Sequence, residues 1–198
     1  MKHPEIRFII SMLFVLLSAA GAIYVVIIIF IQEAFKSVTK DLGVLAVCLG
    51  AGLFLGVVIY GQLGKRIRWY NTIFLCLFFG GIMLIVFAYF VYHYANIKMA
   101  MILSFFLGLI VGPIFIASNT TIHIISDETM RGKVFSSLEI IIHLAFVLSM
   151  LLSSWLSEFI GRVWILMGVG VMFSFIAVIG FILSKLKGGL AFPSRNMA

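Results

Sequence analysis

Residues 135–146 read FSSLEIIIHLAF. One carboxylate, Glu139, and one imidazole, His143, stand four residues apart in an otherwise apolar run. On a helix that spacing puts both on one face. The run is continuously apolar and lacks the two-residue alternation of a lipid-facing barrel strand, so it reads as helix. Followed outward to residues 134–156, it reaches the ~20 residues that cross a bilayer. A charge inside such a span is costly and needs water or a partner. The membrane reading of this stretch carries over to the rest of the chain.

The chain has 198 residues, 64% hydrophobic and 11% charged, with mean hydropathy +1.25. A soluble domain is near ~25% charged, so this chain cannot cover a water-facing surface and is an integral membrane protein. Six runs qualify as spans, at about 8–31, 42–60, 71–92, 99–125, 134–156 and 163–183. Glu139 is the single acid or strong base within them. Met1 to Arg7 is too short and mixed for a signal-peptide n-region, and the first run exceeds a signal h-region. The expected fold is therefore all-α, one six-helix transmembrane domain over 1–198. Short connections predict that neighbouring spans are antiparallel and adjacent.

Loop charges set the orientation. Lys2, Arg7, Lys65, Arg66, Arg68, Arg131, Lys133, Lys185, Lys187 and Arg195 fall on the side of the termini. Lys36, Lys40, Lys98 and Arg162 fall on the other. The positive-inside rule predicts a multi-pass plasma (inner) membrane protein with both termini cytoplasmic. The net charge of +7 follows from that bias. Basic residues scattered over loops do not make a nucleic-acid surface. Cys48 and Cys76 lie within spans as small packers, with no disulfide or zinc spacing. His3, His93, His123 and His143 have no metal-ligand spacing, and no catalytic motif is present. No enzyme activity, metal or cofactor is expected.

Glycine marks two spans. Gly43, Gly50, Gly52, Gly56 and Gly61 belong to the second, and Gly108 and Gly112 to the fourth. Gly52/Gly56 and Gly108/Gly112 are small-xxx-small pairs that let helices approach closely. Close packing is the expected use; a face that slides during transport is the alternative. Pro113 removes a backbone donor mid-span and predicts a bend.

Two segments carry a family resemblance. GQLGKRIRWY, at 61–70, resembles the short cytoplasmic signature of the major facilitator superfamily. Gly61, Leu63, Gly64 and Arg66 match it; Lys65 stands where the family usually has Asp, and Arg68 where it often has Gly. GLIVGPIFIASNTTIHIISDETMRGKVFSS, at 108–137, is similar to the fourth span, loop and fifth span of a C-terminal half in macrolide-efflux-type exporters. The shared features are the acidic turn Asp127–Glu128, then Arg131, Gly132, Lys133, Val134 and Phe135.

The resemblance implies a C-terminal six-helix half of a twelve-helix fold, built from 3+3 inverted repeats. Its partner would be an N-terminal six-helix half, from the same gene or a separate chain, or a second copy. The implied activity is proton-coupled export of a small organic or amphiphilic compound by alternating access. Helices one, two, four and five would line the cavity, with three and six facing lipid. Gly61, Leu63, Gly64, Arg66, Arg131 and Gly132 would form a cytoplasmic gate; topology and headgroup contact explain the same basic residues without gating.

Glu139, His143, Asn119, His123 and Tyr24 are the candidates for a substrate and proton pathway. Asn119 lies at a depth similar to Glu139, which predicts one polar cluster. Desolvation raises a carboxylate's pKa, which suits proton exchange. A Glu139–His143 hydrogen bond with no transport role explains the pair equally well. His123 reads equally as an interhelical contact, and Tyr24 as core packing. A structural or assembly membrane protein, or an inactive fragment, is the competing class.

Overall fold

The computed structural model describes residues 4–36, 39–63, 69–125 and 131–186. They form six helices: α1 (Pro4–Phe35), α2 (Lys40–Leu63), α3 (Trp69–Tyr94), α4 (Ile97–Ile125), α5 (Arg131–Ile160) and α6 (Arg162–Leu186). All six are long and apolar enough to cross a bilayer, and the described residues contain no strand. Pro113 sits inside α4, which runs on past it to Ile125 as one helix.

The connections α1–α2, α3–α4 and α5–α6 lie at the distal end, opposite the chain termini. Each turns on one left-handed residue: Lys36 at φ 51°, Ala95 at 42° and Gly161 at 92°. The Ala95 amide donates to the Val91 carbonyl at 3.1 Å and the Gly161 amide to that of Ser157, also at 3.1 Å. These bonds satisfy carbonyls that a helix end leaves open. The Asn96 side chain then accepts from the Lys98 amide at 3.0 Å, starting α4.

Of the sequential neighbours expected from short loops to pack together, α3 and α4 do, while the other main pairs are not sequential. α2 packs chiefly on α4, α3 on α6 and α1 on α5, while α1 and α2, or α5 and α6, barely touch. Short loops force consecutive helices to run antiparallel; they do not choose which faces meet. Small residues do that. A Cβ on Gly52 or Gly56 would come within 3.0 Å of the Phe105 or Leu109 carbonyl oxygen. Gly108 and Gly112 meet the Leu49 and Leu53 carbonyls in the same way. Both small-xxx-small pairs therefore face each other, backbone to backbone. On the opposite flank Gly81 and Gly170 make the same reciprocal contact between α3 and α6.

Exchanging α1 with α4, α2 with α5 and α3 with α6 maps α2·α4 onto α1·α5. It also maps α3·α4 onto α1·α6, and α3·α6 onto itself. The five main packings thus obey a two-fold relation between the first and last three helices. This is the architecture of one half of a major facilitator fold, with its 3+3 repeats.

Two cores hold the bundle. Val26, Phe30, Leu45, Phe87, Val91 and Leu166 interlock near the distal end. Ile73, Phe74, Cys76, Leu77, Ile114 and Ala177 do so toward the termini. Both cysteines are free, and Cys76 is buried in the second core. Half of the α3 span is buried, against 17% for α6. α3 is thus far more covered within the chain than a lipid-facing helix need be, because α4 and α6 both pack on it.

Candidate functional site

The α5 face that carries Glu139 and His143 continues one turn later to Phe146. Spacings of four and three keep the three residues in one stripe. At Phe146 the stripe meets α1: the Tyr24 and Phe146 rings lie 5.9 Å apart, tilted by 57°. Gly21 makes this approach possible, since a Cβ there would run into the Phe146 main chain. Further along, the Ser153 hydroxyl donates to the Ala22 carbonyl at 2.5 Å. The structure therefore brings Tyr24 to the Glu139–His143 stripe, a connection the sequence did not show. Tyr24 is 54% exposed, so it is a surface aromatic of the bundle and not a core packer.

The Glu139–His143 contact differs from the expected side-chain pair. His143 Nδ1 lies 2.8 Å from the main-chain carbonyl oxygen of Glu139, not from its carboxylate. Helical side chains lean toward the helix N-terminus. His143 thus leans onto the carbonyl one turn back. A carbonyl oxygen only accepts, so Nδ1 carries the proton and Nε2 is left for other partners. Both residues are exposed on the bundle surface. Among the described residues no cation pairs with the Glu139 carboxylate; the ion pair there is Arg162–Glu33.

Asn119 and His123 belong to α4, but their side chains lie outside the described residues. The close partner of α5 is α1, not α4. Gly61 lies in the last turn of α2, is exposed, and has open space where a Cβ would stand. Leu63 is the last residue of that helix, and Arg131 and Gly132 open α5. Gly64 and Arg66 lie outside the described residues, as do Asp127 and Glu128.

The Glu33–Arg162 pair was not anticipated. Arg162 Nη1 donates to Glu33 Oε1, tying the end of α1 to the start of α6. Glu33 stands just beyond the first apolar run, and Arg162 in the last distal connection. Opposite charges at the same end of the bundle were the available signal.

A model of the major facilitator superfamily matches residues 8–192. The chain belongs to the major facilitator superfamily. It is a multi-pass membrane protein of a transporter family, and its two-fold helix pairing is what one half of that fold requires. Comparison with curated proteins and with solved structures returned no match.

Proposed function

We propose that the chain supplies one half of a proton-coupled exporter of a small organic or amphiphilic compound, working by alternating access. The observation that carries this reading is the Glu139 carboxylate. It is exposed on a membrane helix, has no ion partner among the described residues, and shares its stripe with His143, Phe146 and Tyr24. A carboxylate in that position needs water or a second protein wall. Opposite a second six-helix half, whether a separate chain, the same gene product or a second copy, the stripe would line a midplane cavity.

In that cavity Glu139 exchanges a proton as the two halves rock. His143, anchored through Nδ1, presents Nε2 to the proton or substrate. Tyr24 and Phe146 offer aromatic faces to an amphiphile, and Asn119 and His123 contribute from α4. Gly61, Leu63, Gly64, Arg66, Arg131 and Gly132 form the gate on the side of the termini, which faces the cytoplasm by the positive-inside rule. The likeness to macrolide exporters rests on the 108–137 stretch and on the glycine spacing of the second span.

The test is Glu139→Gln in the complete transporter. Loss of uphill, proton-driven accumulation with downhill exchange and folding retained supports the reading. Full accumulation by the Gln variant overturns it and leaves a structural role for the stripe. His143→Ala shifts the pH profile of transport if the imidazole tunes that proton.

A further inference from the structure

At the distal end, away from the Glu139 stripe, an open groove of about 650 Å³ runs between α2 and α4. Thr39, Lys40, Gly43, Val44, Val47, Cys48 and Met101 line it. Below Thr39 and Lys40 its walls are apolar. From Lys40 to Cys48 it extends about 12 Å along α2 at ~1.5 Å per residue. Gly43 opens the wall, with nothing within 4 Å of where a Cβ would stand, and Val47 is 72% exposed.

One lysine lines the mouth, and a second stands near it on α4. Lys40 is part of the lining. Lys98 stands three residues before Met101, hence on the same face of α4 and one turn nearer the distal end. The glycine contacts set Gly52 beside Phe105 and Gly56 beside Leu109. That parallel register places Lys98 level with the first turns of α2. Both lysines are exposed, and neither has a carboxylate within ion-pairing distance among the described residues. The other cation of this end with a fixed partner, Arg162, is held by Glu33. Lys40 and Lys98 also stand against the positive-inside bias of the chain.

We infer that this groove binds one anionic phospholipid of the bilayer, its acyl chain along Val44, Val47 and Met101 and its phosphate between Lys40 and Lys98. An apolar trough that ends in two unpaired cations at headgroup depth complements an anionic amphiphile. A zwitterionic headgroup would leave its own cation facing the lysines. Each lysine near an anionic headgroup contributes ~1 kcal/mol, roughly fivefold in affinity.

The experiment reconstitutes the full chain in nanodiscs of phosphatidylcholine doped with phosphatidylglycerol and counts retained lipid by native mass spectrometry. One phosphatidylglycerol retained in preference to phosphatidylcholine is expected. Lys40→Gln with Lys98→Gln lowers its retention about 25-fold, the product of two fivefold losses, whereas Lys→Arg at both positions keeps it. Gly43→Leu fills the trough without touching a charge or the fold, and also abolishes retention. Helicity by circular dichroism verifies each variant.

Unchanged retention in the Gln pair overturns the inference. So does a loss in the Gln pair that Gly43→Leu does not reproduce, since that is surface electrostatics without a groove. A photo-crosslinker at Val47 should label lipid; labelling a protein chain instead shows an interface and also overturns it.

Discussion

The pairs α2·α4 and α1·α5 occupy equivalent places under the two-fold relation, yet they are built differently. In α2·α4 two glycines on each helix meet the opposing main chain. Among the described residues, α1·α5 has one close glycine, Gly21, supplemented by the Ser153–Ala22 hydrogen bond and the Tyr24–Phe146 ring contact. On α2 the acid is Asp41, in the first turn at the distal end, where the groove also lies. The α1·α5 pair carries the polar stripe. Glycine contacts leave no room for side chains at a seam, so the pair built with fewer of them is the one able to present Tyr24, His143 and Glu139.

The largest expected effect breaks the glycine seam. Gly52→Leu drives a side chain into the Phe105 carbonyl and should cost about 3 kcal/mol or more, at the upper end of overpacking. Reversible unfolding in mixed micelles measures it. Gly50→Ala, on the same helix but facing open space, should cost nothing; an equal loss there would mean that general helix flexibility, not the seam, is responsible.

A smaller effect compares the distal turns. Gly161 adopts its left-handed φ freely, while Ala95 carries a Cβ in the same region. Ala95→Gly should therefore stabilise the bundle by about 1 kcal/mol, read from the same unfolding curve. Gly161→Ala should do the reverse. Parallel losses in both would show that the turns do not set stability through φ.

The smallest expected effect tests the α1·α5 seam. Ser153→Ala removes one interhelical hydrogen bond, worth about 0.6 kcal/mol in membrane proteins. A loss as large as that of Gly52→Leu would erase the contrast between the two pairs.

Residues 135–146 showed in advance that a carboxylate and an imidazole share a helix face, since spacing alone fixes that. They did not show that His143 would bond the main chain of Glu139, because the lean of helical side chains had to be weighed against the attraction of opposite polar groups. Tyr24 was singled out from sequence, but its neighbour Phe146 was not; the contact depends on Gly21 letting two helices meet. Gly52, Gly56, Gly108 and Gly112 were legible as packing glycines, yet nothing in their spacing named them as each other's partners.

By itself the sequence determined the class of the protein, the number of helices and the length of each apolar span. Those follow from local composition: a bilayer demands ~20 apolar residues and internally satisfied backbone, and each segment meets that demand alone. The family resemblance at 61–70 and 108–137 added the expected half-fold, which the 8–192 match and the two-fold helix pairing then carried. Only the tertiary structure decided which helices pair, where Glu33 finds Arg162, and that the α2·α4 seam opens into a groove. Lipid tails are as apolar as leucine, so hydrophobicity cannot choose between helix faces. The choice falls to backbone approach and single hydrogen bonds between residues as far apart in the chain as Ala22 and Ser153.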